Sequence, residues 1–228
     1  AGTPAALALE RGDERVEPRV RVVTEVDAES WDALVGGMPL LSHAFLSALE
    51  ASNSIGKGTG WQPCPLLVFD DQALVGALPL YVKSHSYGEY VFDWAWAQAY
   101  EQNNMRYYPK ALSAIPFTPV RGPRLLVSPT SDQSEIQEIL IAGLKTLVTQ
   151  NALSSAHVLF PEKRELEELQ KQGFMLRDSV QFHWHNQGYQ DFEQFLQALT
   201  MKRRKSIRRE RASVASQPMT YRHVPGTI

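Results

Sequence analysis

LLVFDDQALVGALPLYVK, residues Leu66–Lys83, is the stretch on which the fold turns. Leu66–Phe69 and Leu74–Lys83 are apolar runs on either side of the polar turn Asp70-Asp71-Gln72, the pattern of a β-hairpin. Upstream, Val20–Val26 (VRVVTEV) reads as a strand and Glu29–Leu34 as a helix closed by Gly36-Gly37. A second helix follows Ser42 as N-cap, with Leu41, Phe45 and Leu49 at four-residue spacing. Asn53–Gly60, containing SIGKGTG, has glycines and a lysine without the Walker spacing and reads as a surface loop.

Downstream, Phe117–Val127 is extended but interrupted by Pro119 and Pro123, which suits an edge strand. Asp132 and Glu135 form a capping box ahead of Ile136, Ile139, Leu140, Leu144, Leu147 and Val148, an apolar stripe at helical spacing. Ala156–Phe160 is a short buried strand, and Pro161 opens a charged helix that stops at Gly173. Phe174, Leu176, Val180, Phe182 and Trp184 then alternate with Arg177, Ser179, Gln181, His183 and His185, as on the two faces of a strand. Phe192, Phe195, Leu196 and Leu199 begin a last helix that runs on into a basic segment, and Thr220–Val224 reads as the start of another strand. Strand, helices, hairpin, strand, helix, strand, helix, strand, helix is the order of a mixed α/β (α+β) layered domain, not of a bundle or a sandwich.

Composition narrows the class further. The 228 residues are 43% hydrophobic and 21% charged, ordinary values for a globular chain. The longest apolar run, Ala73–Val82, falls well short of the roughly 20 residues that cross a bilayer. The first 18 residues show neither helical nor strand period and read as a loose tail without a secretory signal. Cys64 is the sole cysteine, set between prolines, which excludes a disulfide framework and implies a reducing, cytoplasmic setting and an inert, buried thiol. There is no G-x-S-x-G elbow, Walker loop or H-E-x-x-H motif, so hydrolase and nucleotidase readings have no support. His183 and His185 share a strand face without a third ligand nearby; they read as cleft-lining or solvent-facing residues, and no metal is expected.

Two segments carry candidate chemistry. Lys202–Arg211 holds seven basic residues against Glu210 alone, a local charge of +6 that leaves 16 basic and 24 acidic residues, or −8, for the remainder. Lys202, Arg203, Arg204, Lys205, Arg208 and Arg209 form either a polyanion-binding face, for RNA, a nucleotide-linked substrate, coenzyme A or anionic lipid, or a solvated arm. Tyr81–Tyr108 interleaves aromatics with polar groups. As a group it suits a groove that holds a sugar or peptide by stacking and hydrogen bonding; singly, Trp94 and Trp96 suit core or lid packing. Asp93 and Glu89 are candidates for a general base or for orienting an amine.

SHSYGEYVFDWAWAQAYEQNNMRYYPK (Ser84–Lys110), PFTPVRGPRLL (Pro116–Leu126), QFHWHN (Gln181–Asn186) and FLQALTMKRRKSIRRER (Phe195–Arg211) resemble the FemAB-like family of bacterial proteins, a branch of the GNAT superfamily. The resemblance spans most of Val20–Arg211. It implies two GNAT-like domains in tandem, with residues 19–190 as the first, 191–216 as a basic connecting helix and 217–228 opening the second. It further implies N-acyl or aminoacyl transfer to an amine, such as a muropeptide acceptor in peptidoglycan metabolism, with acyl-CoA or aminoacyl-tRNA as donor. The superfamily's acyl-CoA loop, Q/R-x-x-G-x-G/A, would fall just before Asp132, where this sequence reads VRGPRLLVSPTSD and departs from it. By position the resemblance points to Asp93, Glu89 and His85 as catalytic candidates. Lys83, Tyr87, Tyr90, Trp94, Tyr107, Tyr108, Arg121 and His183 are the substrate-binding candidates. The rival reading is a non-catalytic, degenerate GNAT-like module that binds RNA or anionic membrane through its basic helix.

Overall fold

The structure is a computed structural model that describes residues 16–178, 180 and 182–223. They fall into two compact units, one ending at residue 179 and the other beginning at Val180.

The first unit is built on the hairpin. β3 (Leu66–Asp70) and β4 (Ala73–Leu78) pair antiparallel across the Asp71-Gln72 turn. Both arms then bend. Pro65 precedes β3 and Pro79 follows β4, and a residue without an N–H cannot continue a ladder. The arms resume on the far side as β2 (Trp61–Pro63) and β5 (Tyr81–Lys83), which pair with each other in a second sheet. The Cys64 N–H donates to the Leu80 carbonyl at 2.8 Å and bridges the bend. Leu74–Lys83, read from sequence as one strand, is therefore two strands in two sheets.

The first sheet has the order β1-β3-β4-β7, with β1 (Val16–Val20) and β7 (Leu126–Val127) at its antiparallel edges. The expected strand at Val20–Val26 lies earlier in the chain, and Val23–Glu25 is a 3-10 turn instead. The second sheet has the order β2-β5-β6-β8; β6 (Lys110–Ser113) pairs antiparallel with β5 and parallel with β8 (Ala156–Val158).

Helices cover both faces of the hairpin. α1 (Ala28–Val35) starts at Asp27, whose carboxylate accepts from the Ser30 N–H, and ends at Gly36 in the left-handed conformation. α2 (His43–Ala51) has Ser42 as N-cap, as its sequence indicates. These two pack Trp31, Leu34 and Leu46 against Leu67 and Ala77. On the other face α4 (Gln133–Gln150) lays Ile136, Ile139, Leu140, Leu144 and Leu147 against Leu66, Val68 and Leu78. Consecutive residues of β3 thus serve opposite cores, so its apolar run is unbroken. Gly76 permits the approach of α4, because a Cβ there would stand 2.5 Å from Ile136 Cγ2. α5 (Lys163–Lys171) completes the layer, with Glu162 as N-cap and Gly173 just beyond its end.

Phe117–Leu125 forms no strand, and a buried cation takes up its backbone. Arg124 donates to the carbonyls of Val120, Gly122, Pro123 and Leu159, while Glu165 accepts the N–H groups of Arg124 and Leu125. Backbone groups that miss a ladder need such partners.

In the second unit the expected single helix is broken. α6 (Phe192–Gln197) ends before Thr200, whose hydroxyl accepts the Arg203 N–H and starts α7 (Met201–Ala215). The alternating segment Phe174–Trp184 is not a strand among its described residues; Met175, Val180 and Phe182 are almost fully exposed. Alternation shows that a face could be buried, but among the described residues no strand pairs with this segment, and only Phe174 at its start packs against a core. Thr220–His223 is irregular, and Val224 lies outside the described residues.

Candidate active site

β5 and β6 run antiparallel with Lys83 directly opposite Lys110, and neither lysine has any exposed surface. Like charges facing across a sheet repel, and burial removes the water that would screen them. Compensation comes from the strap of residues 84–93, between β5 and α3 (Trp94–Gln102). Lys110 Nζ donates to Glu89 Oε2 at 2.9 Å, Asp93 Oδ2 at 2.7 Å and Ser86 Oγ at 3.0 Å, which uses all three N–H bonds. The Tyr107 hydroxyl donates to Asp93 Oδ2 at 2.6 Å, and the Tyr108 and Ser86 hydroxyls share a bond of 2.7 Å. Lys83 Nζ donates to the Tyr87 carbonyl at 3.2 Å and lies 3.7 Å from the centroid of the Trp61 ring. Trp61 Nε1–H donates to the same carbonyl at 3.0 Å, pinning the strap.

These surroundings separate the two acids. Burial raises the Asp93 carboxyl, but hydrogen bonds from Lys110, Tyr107 and Ser86 outweigh it and hold the group down at about 2. At Glu89 burial prevails over the pull of Lys110, and the carboxyl sits above the usual range. Burial also outweighs Glu89 at Lys83, bringing that ammonium down to about 7. Burial, aided by Lys110, pushes His157 on β8 down to about 4, so it stays neutral beside the Ser155 hydroxyl. Glu89 Oε1 and Asp93 Oδ1 are both buried without a hydrogen-bond partner. One carboxylate fixed as an anion, another raised toward neutrality, and a spare acceptor on each can position an amine and take its proton.

Asp93, Glu89, Lys83, Tyr107 and Tyr108 thus come together. His85 is near them in sequence but engaged elsewhere: Nδ1 accepts the Tyr87 N–H at 3.3 Å and Nε2 faces the Thr59 carbonyl at 3.1 Å. Those contacts engage both ring nitrogens. Tyr87, Tyr90 and Trp94 lie outside the cluster as exposed rings, and Arg121 is exposed. Trp94 and Trp96 join no core. His183 belongs to the second unit, where its ring stacks on His185 with centroids 6.3 Å apart. Lys202, Arg203, Lys205, Arg208 and Arg209 are exposed on α7 and Arg204 is half-buried; Arg208 pairs with Glu193 at 2.5 Å. Sequence reasoning missed Lys110, Ser86 and Trp61. The available signal for Lys110 was a lone lysine opening the apolar run of β6. Cys64 is buried as expected, its thiol pushed up to about 12 by burial.

The resemblance places the pyrophosphate of coenzyme A at the N-terminus of α4, and the residues there do not fit that group. Asp132 Oδ1 already accepts the Ser134 and Glu135 N–H groups at 3.0 Å, and Glu135 adds a second acid in the first turn. An anion would meet occupied donors and two negative charges.

A family model described as peptidoglycan biosynthesis/recognition, FemAB-like, matches residues 22–228. The chain belongs to the FemAB-like family. No curated protein matches this FemAB-like chain. Among solved structures it is similar to an aminoglycoside N-acetyltransferase, AAC(6')-Iy, in complex with CoA. That match is 16% identical, covers 78% of this chain and 99% of the other, and has a TM-score of 0.45. No helix among the described residues is long and apolar enough to cross a membrane.

Proposed function

We propose that this FemAB-like chain is an N-acyltransferase that moves an acyl or aminoacyl group onto an amine in peptidoglycan metabolism. The observation that carries the reading is the buried Glu89–Lys110–Asp93 cluster, with its separated carboxyls and spare acceptor oxygens. Membership of a family described by peptidoglycan biosynthesis and recognition supports the substrate class.

In such a transfer the amine nitrogen bonds to the activated carbonyl carbon, the bond to the leaving group breaks, and the amine gives up a proton. Glu89 is the better acceptor of the two acids, because a raised carboxyl binds the proton more readily than one held near 2. Asp93 stays charged and positions Lys110 and Tyr107. With the cluster buried, the strap must open to admit the amine. The donor is a thioester or ester carbonyl, from acyl-CoA or aminoacyl-tRNA, held by residues other than the N-terminus of α4. The test offers each donor with a muropeptide amine and reads product by mass; Glu89→Gln should abolish a product that wild type forms. No product from either donor removes the reading.

The basic face of α7 favours a second reading, in which the chain binds RNA or anionic membrane without catalysis. Polyanion binding that persists where no transfer can be found would favour it.

A further inference from the structure

The strap inverts the usual order of a surface segment. Glu89 and Asp93 are buried, whereas Tyr87, Tyr90, Phe92, Trp94 and Trp96 are 66, 52, 76, 47 and 54% exposed. Large apolar side chains gathered at a surface mark interaction sites. α3 buries no residue, and from Tyr87 to Tyr100 no exposed side chain carries a charge. Arg177 reaches the strap from outside that segment and is engaged by the Val91 carbonyl at 3.1 Å. The rings of Tyr87 and Trp94 pack edge to face with centroids 5.2 Å apart. Gln98 stands one turn along α3 from Trp94, and Gln102, Asn103 and Asn104 are exposed at the end of the helix. Tyr87–Tyr100 therefore offers aromatic rings and the Gln98 amide with no exposed charge, and the amides at the helix end are flanked by one exposed acid, Glu101, and one exposed base, Arg106.

We infer that this surface is a saccharide platform, on which a neutral sugar ring stacks against the Tyr87–Trp94 pair and Gln98 serves its hydroxyl or acetamido groups. The inference deepens the acyltransferase reading and rests on it, since the sugar would be the carrier part of the acceptor. A pyranose presents an apolar C–H face to an aromatic ring and needs both donors and acceptors at its edge, which an amide supplies. An anionic ligand or anionic bilayer would require a cluster of cations, which Tyr87–Tyr100 lacks. The platform also adjoins the cluster through one residue: the Tyr87 carbonyl accepts from both Lys83 and Trp61.

The experiment titrates the protein with tri-N-acetylchitotriose and follows tryptophan fluorescence and heat, for wild type, Trp94→Ala and Tyr87→Ala. These side chains are exposed, so the variants should keep the wild-type melting temperature. Saturable binding that weakens about tenfold or more in each variant is the expected result. No saturable binding, equal affinity in all three proteins, or a fluorescence shift produced by phosphatidylcholine vesicles and not by the sugar would overturn it. Binding is read without turnover. Sugar binding with no transfer would therefore sink the acyltransferase reading alone, and transfer without sugar binding would sink the platform alone.

Discussion

Gly88 shows how closely the strap is fitted. Its φ is +81°, and a Cβ there would lie 2.6 Å from Phe117 Cδ1 and 3.2 Å from Trp61 Nε1. Gly88→Ala should destabilise the protein by about 1–3 kcal/mol in urea denaturation, through backbone strain and overpacking. Lys110→Met should cost more, about 3–5 kcal/mol, because it leaves two buried carboxyls without their counter-ion. The titrations have opposite origins but the same slope. Asp93 titrates at about 2 in the fold against 3.8 in the open chain, so its stabilisation is present above pH 3.8 and lost as pH falls toward 2. Lys83 titrates at about 7 in the fold against 10.5 unfolded, so the unfolded chain holds the extra proton and stability climbs between those values. Melting temperatures across pH should show that alkaline climb in wild type and a flatter curve in Lys83→Met. Glu89 and Asp93 were legible in the sequence because acids among aromatics stand out. The Lys83–Lys110 pairing was not, since register between strands 27 positions apart leaves no local pattern.

Among the elements, those with a single buried face were readable. α4 shows its stripe, and α1 and α2 show their caps, because one core dictates their periodicity. α3 buries nothing, so its sequence carries no stripe that would mark a helix. The long arm Leu74–Lys83 looks continuous because both of its strands are buried, and only Pro79 marks the bend. The break before α7 depends on Thr200 acting as a cap within an otherwise helical run. Thr200→Ala should destabilise α7 by about 0.5–2 kcal/mol, seen as reduced helical signal on mild heating. Should α7 bind polyanion, neutralising Arg203, Arg204, Arg208 and Arg209 should flatten the log–log salt dependence of tRNA affinity by about 0.7–0.9 for each phosphate no longer neutralised. Absence of tRNA binding by wild type at moderate salt would remove that role.

Across the whole molecule, the α/β class follows from the order of elements, and it survives errors in any one of them. The division into two compact units was less legible, because the alternating segment Phe174–Trp184 mimics a strand that would join them. Its described residues are irregular and, beyond the half-buried Phe174, exposed, so chymotrypsin should cut first after Phe182 or Trp184 and leave the first unit intact by mass. The strap carries the functional claim, for it turns its acids inward onto Lys110 and its aromatics outward. The most direct measurement is the pH dependence of kcat/KM for acyl transfer to a muropeptide amine, in wild type and Glu89→Gln, with both donors offered. Wild type should lose rate on the acid side as Glu89 takes up a proton above its ordinary 4.5. Glu89→Gln should be about 10²–10⁴-fold slower, its acid limb reduced to that of the amine alone. An unchanged rate and profile in Glu89→Gln would contradict Glu89 as the base, and with it the cluster as the active site.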